Sequence, residues 1–415
     1  MTTSRNFTEE TRAWLEDRFR VKPGELYRAH EPIYGLDEKA GHSEPDQLWR
    51  MAKTVQVMRS LARLDVATLL DVGAAEGYTA SLARKIFGVR PVISDISAEA
   101  LKHARDFFSL SGVACNASRL PFADNSFDVV VSTECIEHLE HPYQMILEAV
   151  RVARKAVIIS TVEGRASHTA AKLRLLLLPE DEPHGHRSCW SRADFVRVFG
   201  PGVETSSQHL QRPWTMAPPA DLLRQVAVPA PPPHFGEGIL ACIVLDPSVR
   251  KEKPTVDDDR IIAEVLSFNV PLRPSRPPDE QASVPADLLA GMRCPRCLGA
   301  LVEGSAGLRC ASCSSEYRVS GGVPDCFVAE PADLEKLARM PKLGDAVPAR
   351  ARVAWARKRM SQFDRAKRIR SPSIRKTIER LQRLFDFLEA QPGAAGKAAF
   401  VFGKFKRIVL RSAHT

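Results

Sequence analysis

Long apolar runs are missing from this chain. Nowhere in its 415 residues does a stretch approach the roughly eighteen consecutive apolar residues of a membrane-spanning helix. No transmembrane segment is therefore expected. The opening MTTSRNFTEE has no apolar core of the kind a secretory leader carries, so a cytoplasmic protein is expected. Cysteine is sparse, with nine residues, and in a cytosolic chain they argue against a disulfide framework. Five of them (Cys115, Cys135, Cys189, Cys242 and Cys326) are scattered and read as small buried hydrophobes. Glycine, at 23, is outnumbered by proline, at 30, and the proline excess gathers in two stretches that read as excursions or linkers. Internal repeats are absent, which excludes a solenoid.

What is present suits a globular protein. Hydrophobic residues make up 44 % and charged residues 26 %, enough apolar content for a sizeable core and too much for wholesale disorder. At about 150 residues per domain the length accommodates two or three domains. The net charge of +9 is unevenly placed: residues from Pro341 onward hold 19 Lys and Arg against 5 Asp and Glu, while the preceding 340 hold 40 against 45. The basic character belongs to the C-terminal tail, which bears on partners rather than on the fold.

Residues 1–64 read as helical, with apolar Trp14, Leu15 and Phe19, then Met51, Val55, Met58 and Leu61 at helical spacing. From there strand and helix patterns alternate. Strands are predicted at 67–72, 91–94, 128–132 and 156–160, and helices at 79–87, 98–108 and 143–152. Such alternation indicates βαβ units and a parallel, doubly wound α/β sheet. Two later strand-like stretches, 203–210 and 239–245, flank a proline-rich excursion and are expected to pair at the sheet edge. A polar, proline-rich linker with one short helix at 258–266 comes next, then the remaining cysteines, then a basic helical tail.

The segment LLDVGAAEGYTA sets Asp71, Gly73 and Gly77 between a strand and a helix. Glycine there permits a tight turn and close approach of a ligand to the backbone. The next strand ends at Asp95, where a carboxylate can accept both hydroxyls of a ribose. A dinucleotide fingerprint would need GxGxxG, and the turn reads Gly73-Ala-Ala-Glu-Gly77 instead. With Asp95-Ile96-Ser97, then Leu101, Ala104 and Arg105, with LPFADNSFDVVVS (Leu120 to Ser132), and with Glu137-His138-Leu139 and Pro142, the sequence resembles the class I S-adenosylmethionine-dependent methyltransferases. It is most like the broad group that includes ubiquinone- and menaquinone-biosynthesis enzymes. The resemblance covers about residues 45–247. It implies a Rossmann-like fold and S-adenosyl-L-methionine as cofactor. Asp71, Gly73 and Gly77 would surround the methionine part, Asp95 with Ile96 would hold the ribose, and Asn116 and Ala117 would meet the adenine. Glu134 would border the reaction chamber. Ala75 stands at a frequent glycine position and Asn116 at a usual aspartate. An amide carbonyl can still accept from an adenine amino group.

A general base is needed only for a hydroxyl or protonated amine acceptor, and the candidates are His138, His184 and His186. Each has a plainer reading as a capping or hydrogen-bonded loop residue. The HxH pair formed by His184 and His186 also invites a metal, but only two ligands are evident from the sequence.

Cys294, Cys297, Cys310 and Cys313 form two CxxC knuckles twelve residues apart, a spacing suited to tetrahedral Zn2+. With Glu316-Tyr317-Arg318-Val319 and Gly321-Gly322-Val323-Pro324, the segment resembles the small zinc-ribbon family that activates methyltransferases. A structural zinc is expected because all four positions are cysteine, and docking in cis because the segment is fused to the methyltransferase-like one. The balanced charge of the segment gives no support for nucleic-acid contact.

The chain is thus read as an N-terminal helical extension (1–44), a methyltransferase domain (45–247), a proline-rich linker (248–284), a zinc ribbon (285–328) and a basic helical tail (329–415). In the tail, Ile374, Ile378, Leu381, Phe385 and Leu388 share one helix face, which could pack on the protein, lie on an anionic membrane surface or meet nucleic acid. The expected activity is methyl transfer to a small-molecule, lipid-linked or sugar-linked acceptor. The alternatives are tRNA or rRNA, and a non-catalytic scaffold that binds a partner protein.

Overall fold

A computed structural model describes residues 7–21, 44–162, 185–188, 190–200, 202–208, 219–225, 238–268, 283–304 and 307–329. The tail beyond residue 329, residues 269–282 and His184 lie outside the described residues, as does Cys189.

Two helices come first, α1 (Phe7–Phe19) and α2 (Glu44–Ala62). The alternating core follows: β1 (Thr68–Val72), α3 (Tyr78–Phe87), β2 (Arg90–Asp95), α4 (Ala98–Phe108), β3 (Ser111–Ala114), β4 (Phe127–Thr133), α5 (Pro142–Val152) and β5 (Ala153–Val162). Helix α6 (Arg192–Phe199), β6 (Glu204–Gln208), α7 (Pro219–Gln225) and β7 (Gly238–Val244) complete a seven-stranded sheet of order β3-β2-β1-β4-β5-β7-β6. The first five strands run parallel. β7 pairs antiparallel with β5 and with β6, the edge pair expected from the sequence.

Local chemistry explains the boundaries. Gly77 and Gly88, both left-handed, bracket α3, which is the backbone freedom glycine supplies at helix ends. Ser97 caps α4 by accepting from the Ala100 N–H. Pro142 opens α5, where its missing N–H costs nothing. β1, β4 and β7 are buried almost throughout, as strands covered on both faces must be. Helices α2, α3 and α4 cover one face through Met51, Met58, Leu82 and Leu101. α5 and α6 cover the other through Ile146 and Phe195, joined by Trp190 just before α6. Trp14, counted among the apolar positions of the first helix, is 39 % exposed, whereas Leu15 and Phe19 are buried.

Two segments depart from the sequence reading. Strand β3 was not anticipated: four residues, Ser-Gly-Val-Ala, are too few to carry a period. The short helix expected inside the linker is present as α8 (Asp258–Ser267), but it belongs to the core. Its Ile261, Ile262 and Val265 are buried in the same cluster as α2 and α3, and Lys85 pairs with Glu264 at 2.7 Å.

A short helix α9 (Ala286–Gly291) leads into a four-stranded antiparallel sheet of β8 (Leu301–Gly304), β9 (Gly307–Cys310), β10 (Glu316–Ser320) and β11 (Val323–Pro324), in the order β11-β10-β9-β8. This module rests on the larger sheet. Leu288, Met292, Cys294 and Tyr317 continue the α5–α6 core cluster. Arg293 donates its backbone N–H to the Pro121 carbonyl at 2.8 Å. Its exit segment runs beside β3: Ala114 bridges Asp325 in parallel, and the Cys326 N–H donates to the Ala114 carbonyl at 2.8 Å. The edge of the large sheet is thereby covered rather than left open. No helix among the described residues is long and apolar enough to cross a membrane.

Candidate functional site

A cavity opens at the carboxyl ends of β1, β2 and β4, the crevice where ligands bind open α/β sheets. Gly73, Asp95, Ile96, Asn116, Ala117 and Glu134 line it, as does His138. Phe7, Thr8, Thr11, Leu15 and Phe19 of α1 close it from the other side.

The turn after β1 is pinned to β2. The Gly73 and Ala74 N–H groups both donate to the Ser94 carbonyl, at 2.8 and 3.1 Å. Gly73 has φ +73°, and a Cβ there would lie 2.4 Å from Cys135 Sγ, so no side chain fits. Ala75 follows with φ +46°, a left-handed conformation that strains a residue with a Cβ. Its N–H donates to Asp95 Oδ2 at 2.9 Å, and Asp95 Oδ1 accepts from the Ser97 N–H at 2.9 Å. Burial pushes the Asp95 carboxyl up to about 6 in spite of those bonds, and the nearby Glu16 carboxylate adds to the rise. Glu134, at the end of β4, is also left-handed, with φ +51°. It forms an ion pair with Lys53 of α2. Strained backbone on both sides of one cavity is a mark of a functional site.

Three residues sit differently from expectation. Asp71 does not line the cavity. It is 1 % exposed, neither carboxylate oxygen has a hydrogen-bond partner, and burial raises its carboxyl to about 7. Asp71 is the penultimate residue of β1, buried one position before the residues that reach the cavity. Gly77 is also off the cavity; a Cβ there would lie 2.6 Å from Leu110, so this glycine serves the contact of α3 with the α4–β3 connection. Asn116 does line the cavity, but its polar ends are engaged elsewhere: Oδ1 accepts from the Ser118 N–H at 2.9 Å and Nδ2 donates to the Val328 carbonyl at 3.1 Å. An aspartate could not make the second bond, which accounts for the departure at this position.

That the N-terminal helices help to shape the pocket follows from the sequence reading, but how α1 is held there does not. Glu16 caps α4 from outside, accepting from the Ala98 and Glu99 N–H groups at 2.8 and 3.1 Å and from the Ser97 hydroxyl at 3.2 Å. Thr8 bonds Glu140 through its hydroxyl at 3.0 Å. Arg12 pairs with Asp325 at 2.6 Å and lies over the Phe327 ring at 4.4 Å, so the cysteine-bearing module holds the helix that closes the cavity. No local signal announces contacts between residues so far apart in the chain.

Of the three candidate histidines, the two that are described meet: the rings of His138 and His186 are 4.9 Å apart. Glu137 joins them, although only two ligands were evident from the sequence. One ligand atom from each of Glu137, His138 and His186 lies within 4.8 Å of the others. Glu137 is buried and accepts from the Thr161 hydroxyl at 2.7 Å. The four sulfurs of Cys294, Cys297, Cys310 and Cys313 form a second such cluster, with Cys294–Cys313 at 3.6 Å and Cys297–Cys310 at 3.4 Å.

Residues 70–160, from β1 through most of β5, match the family described as a methyltransferase domain. Norajmaline N-methyltransferase of Rauvolfia serpentina is 29 % identical over 147 residues, 31 % of this chain and 49 % of the relative. An uncharacterized methyltransferase of Mycolicibacterium gilvum is 37 % identical over 152 residues, 34 % of this chain and 55 % of the relative. The chain thus spans about half the length of these relatives. Among solved structures, magnesium protoporphyrin IX methyltransferase from Synechocystis PCC 6803 is 13 % identical, with a TM-score of 0.36, over 59 % of this chain and 100 % of that one. The α/β layer that carries the cavity is therefore similar to methyltransferase domains, whose cofactor is S-adenosylmethionine.

Proposed function

We propose that this protein is an S-adenosylmethionine-dependent methyltransferase acting on a small-molecule, lipid-linked or sugar-linked acceptor, with a structural zinc in the module of 285–328. The observation that carries the reading is the Asp95 carboxylate, buried at the tip of β2 in a cavity lined mainly by residues of the matched segment. The cofactor supplies an activated methyl on a sulfonium, and the protein supplies orientation and electrostatics. Asp95, with lone pairs beyond the two it gives to backbone N–H groups, would hold the ribose hydroxyls. Gly73 would let the methionine part lie against the backbone, Ile96 and Ala117 would flank the adenosine, and Glu134 would border the acceptor. Asp71 and Gly77 support this reading as interior scaffold of the turn. Phe7, Leu15 and Phe19 would shut water out and hold the reacting groups in line, where much of the rate enhancement arises. A cavity roofed on one side by a helix suits a compact acceptor, or the end of a lipid- or sugar-linked one, better than a base within folded RNA.

The four thiols fit zinc. Two of their separations, 3.4 and 3.6 Å, approach the edge, about 3.8 Å, of a tetrahedron with ~2.3 Å Zn–S bonds, and all four sulfurs lie within 4.8 Å of one another. The Gly299 and Ser312 N–H groups, each 3.4 Å from a cysteine sulfur, would stabilise thiolates. A module with so little core of its own gains its stability from the metal.

Calorimetric titration of the zinc-replete protein with S-adenosylmethionine and S-adenosylhomocysteine tests the function. One site per chain is expected. A folded, zinc-loaded sample that binds neither would overturn the reading in favour of a scaffold.

A further inference from the structure

The Glu137–His138–His186 cluster is not used in the cofactor reading above, yet it adjoins the cavity through His138. Its elements come from separate parts of the chain. Glu137 and His138 lie in the single turn after β4, and His186 comes from the segment before α6. Backbone bonds tie the two together: the Arg187 and Ser188 N–H groups both donate to the Glu137 carbonyl, at 2.6 and 3.0 Å. The cluster is therefore built, not a chance meeting of surface side chains.

We infer that Glu137, His138 and His186 form a binding site for a first-row divalent cation whose open positions take oxygen atoms of the methyl acceptor. The inference rests on the methyltransferase reading for the acceptor, but not for the cation. Three observations support it. The donor set is one carboxylate and two imidazoles, all within 4.8 Å of one another, which one ion can span. Two imidazoles with a carboxylate suit manganese, iron, cobalt or zinc rather than magnesium or calcium, and three protein ligands leave coordination positions open. The supporting contacts are of the kind that orient ligands. The Thr161 hydroxyl fixes one oxygen of Glu137, and His138 Nδ1 faces the Gly185 carbonyl at 3.4 Å. An N–H donated to that carbonyl leaves Nε2 as the coordinating nitrogen. Finally, the Glu137 carboxylate is 1 % exposed. Burial disfavours the charged form of this carboxyl, and a cation bound to it would offset that cost.

Glu134, three residues before Glu137, is held by Lys53 and lines the cavity together with His138. An oxygen bound to the cation would be held at the edge of the cavity, beside Glu134. The acceptor class that follows is an alcohol, phenol or vicinal diol, since such oxygens bind these ions and a bound hydroxyl is more acidic.

The test uses full-length protein with its cysteine module loaded with zinc, titrated with Mn2+ and followed by electron paramagnetic resonance. One Mn2+ per chain is expected in the wild type. His186→Gln and Glu137→Gln should each weaken that binding by about tenfold or more. S-adenosylmethionine affinity of His186→Gln, read by calorimetry, should stay within about twofold. Mn2+ binding that is absent in the wild type, or that both variants retain, overturns the cation site. If the wild type binds Mn2+ but not S-adenosylmethionine, the methyltransferase reading fails while the cation site stands.

Discussion

At the scale of the residue, strain and buried charge gather around one turn. Ala75 holds a left-handed conformation so that its N–H can reach Asp95. Replacing it with glycine should stabilise the cofactor-free protein by about 1 kcal/mol, read from denaturant midpoints. Asp95→Ala should weaken S-adenosylmethionine binding by about a hundredfold, because two charge-assisted hydrogen bonds are worth roughly 1.5 kcal/mol or more each. Calorimetry with retained circular dichroism checks this, and unchanged affinity would remove the ribose assignment. Asp71 gives a pH signature. Burial raises its folded carboxyl to about 7, above the unfolded value of about 3.9. The folded state then binds more protons than the unfolded one between those limits, so stability falls as pH rises from about 4 to about 7. Asp71→Asn removes this loss, and its gain over the wild type should be near zero at pH 4 and grow to about 4 kcal/mol at most by pH 8. A difference that does not vary with pH would show that Asp71 is ordinary in the folded state. Asp95 was legible in the sequence because a carboxylate at the tip of the second strand is a local pattern. The engagement of Asn116 was not, since its partner Val328 lies 212 positions away.

At the scale of the element, α1 behaves as a strap. Its apolar residues face the cavity while Glu16 caps α4 and Arg12 reaches Asp325 and Phe327. The ion pair is partly exposed and the cation–ring contact adds to it, together about 1–2 kcal/mol. Arg12→Ala should therefore raise hydrogen exchange within 7–19 by roughly 5- to 30-fold. An unchanged exchange rate would mean that the helix is held without the module. The strand–helix alternation of the α/β layer was readable from period alone. Strand β3 and the burial of α8 were not: the first is too short to show a period, and the second lies in a proline-rich stretch whose composition suggests a linker. Helix α8 is buried because α2 and α3 leave an apolar face that Ile261, Ile262 and Val265 fill.

At the scale of the whole molecule, the cysteine module and the α/β layer share one core cluster and a strand edge. Loss of zinc should therefore be felt beyond the module. Cys294→Ser with Cys297→Ser should bring zinc towards zero by elemental analysis and loosen the β3 edge, seen as faster exchange at Cys326, whose N–H binds Ala114. Unchanged zinc would remove the metal assignment. The pairing of Arg12 with Asp325 also imposes an order on biosynthesis. The partners are 313 positions apart. At about 5–20 residues per second, the strap waits roughly 15–60 s after emerging from the ribosome before its anchor exists. In the later part of that interval, once β1 to β5 have been made, the glycine turn and acidic tip exist while their cover is untethered, so a ligand captured then would be retained less well than one captured after synthesis passes residue 325.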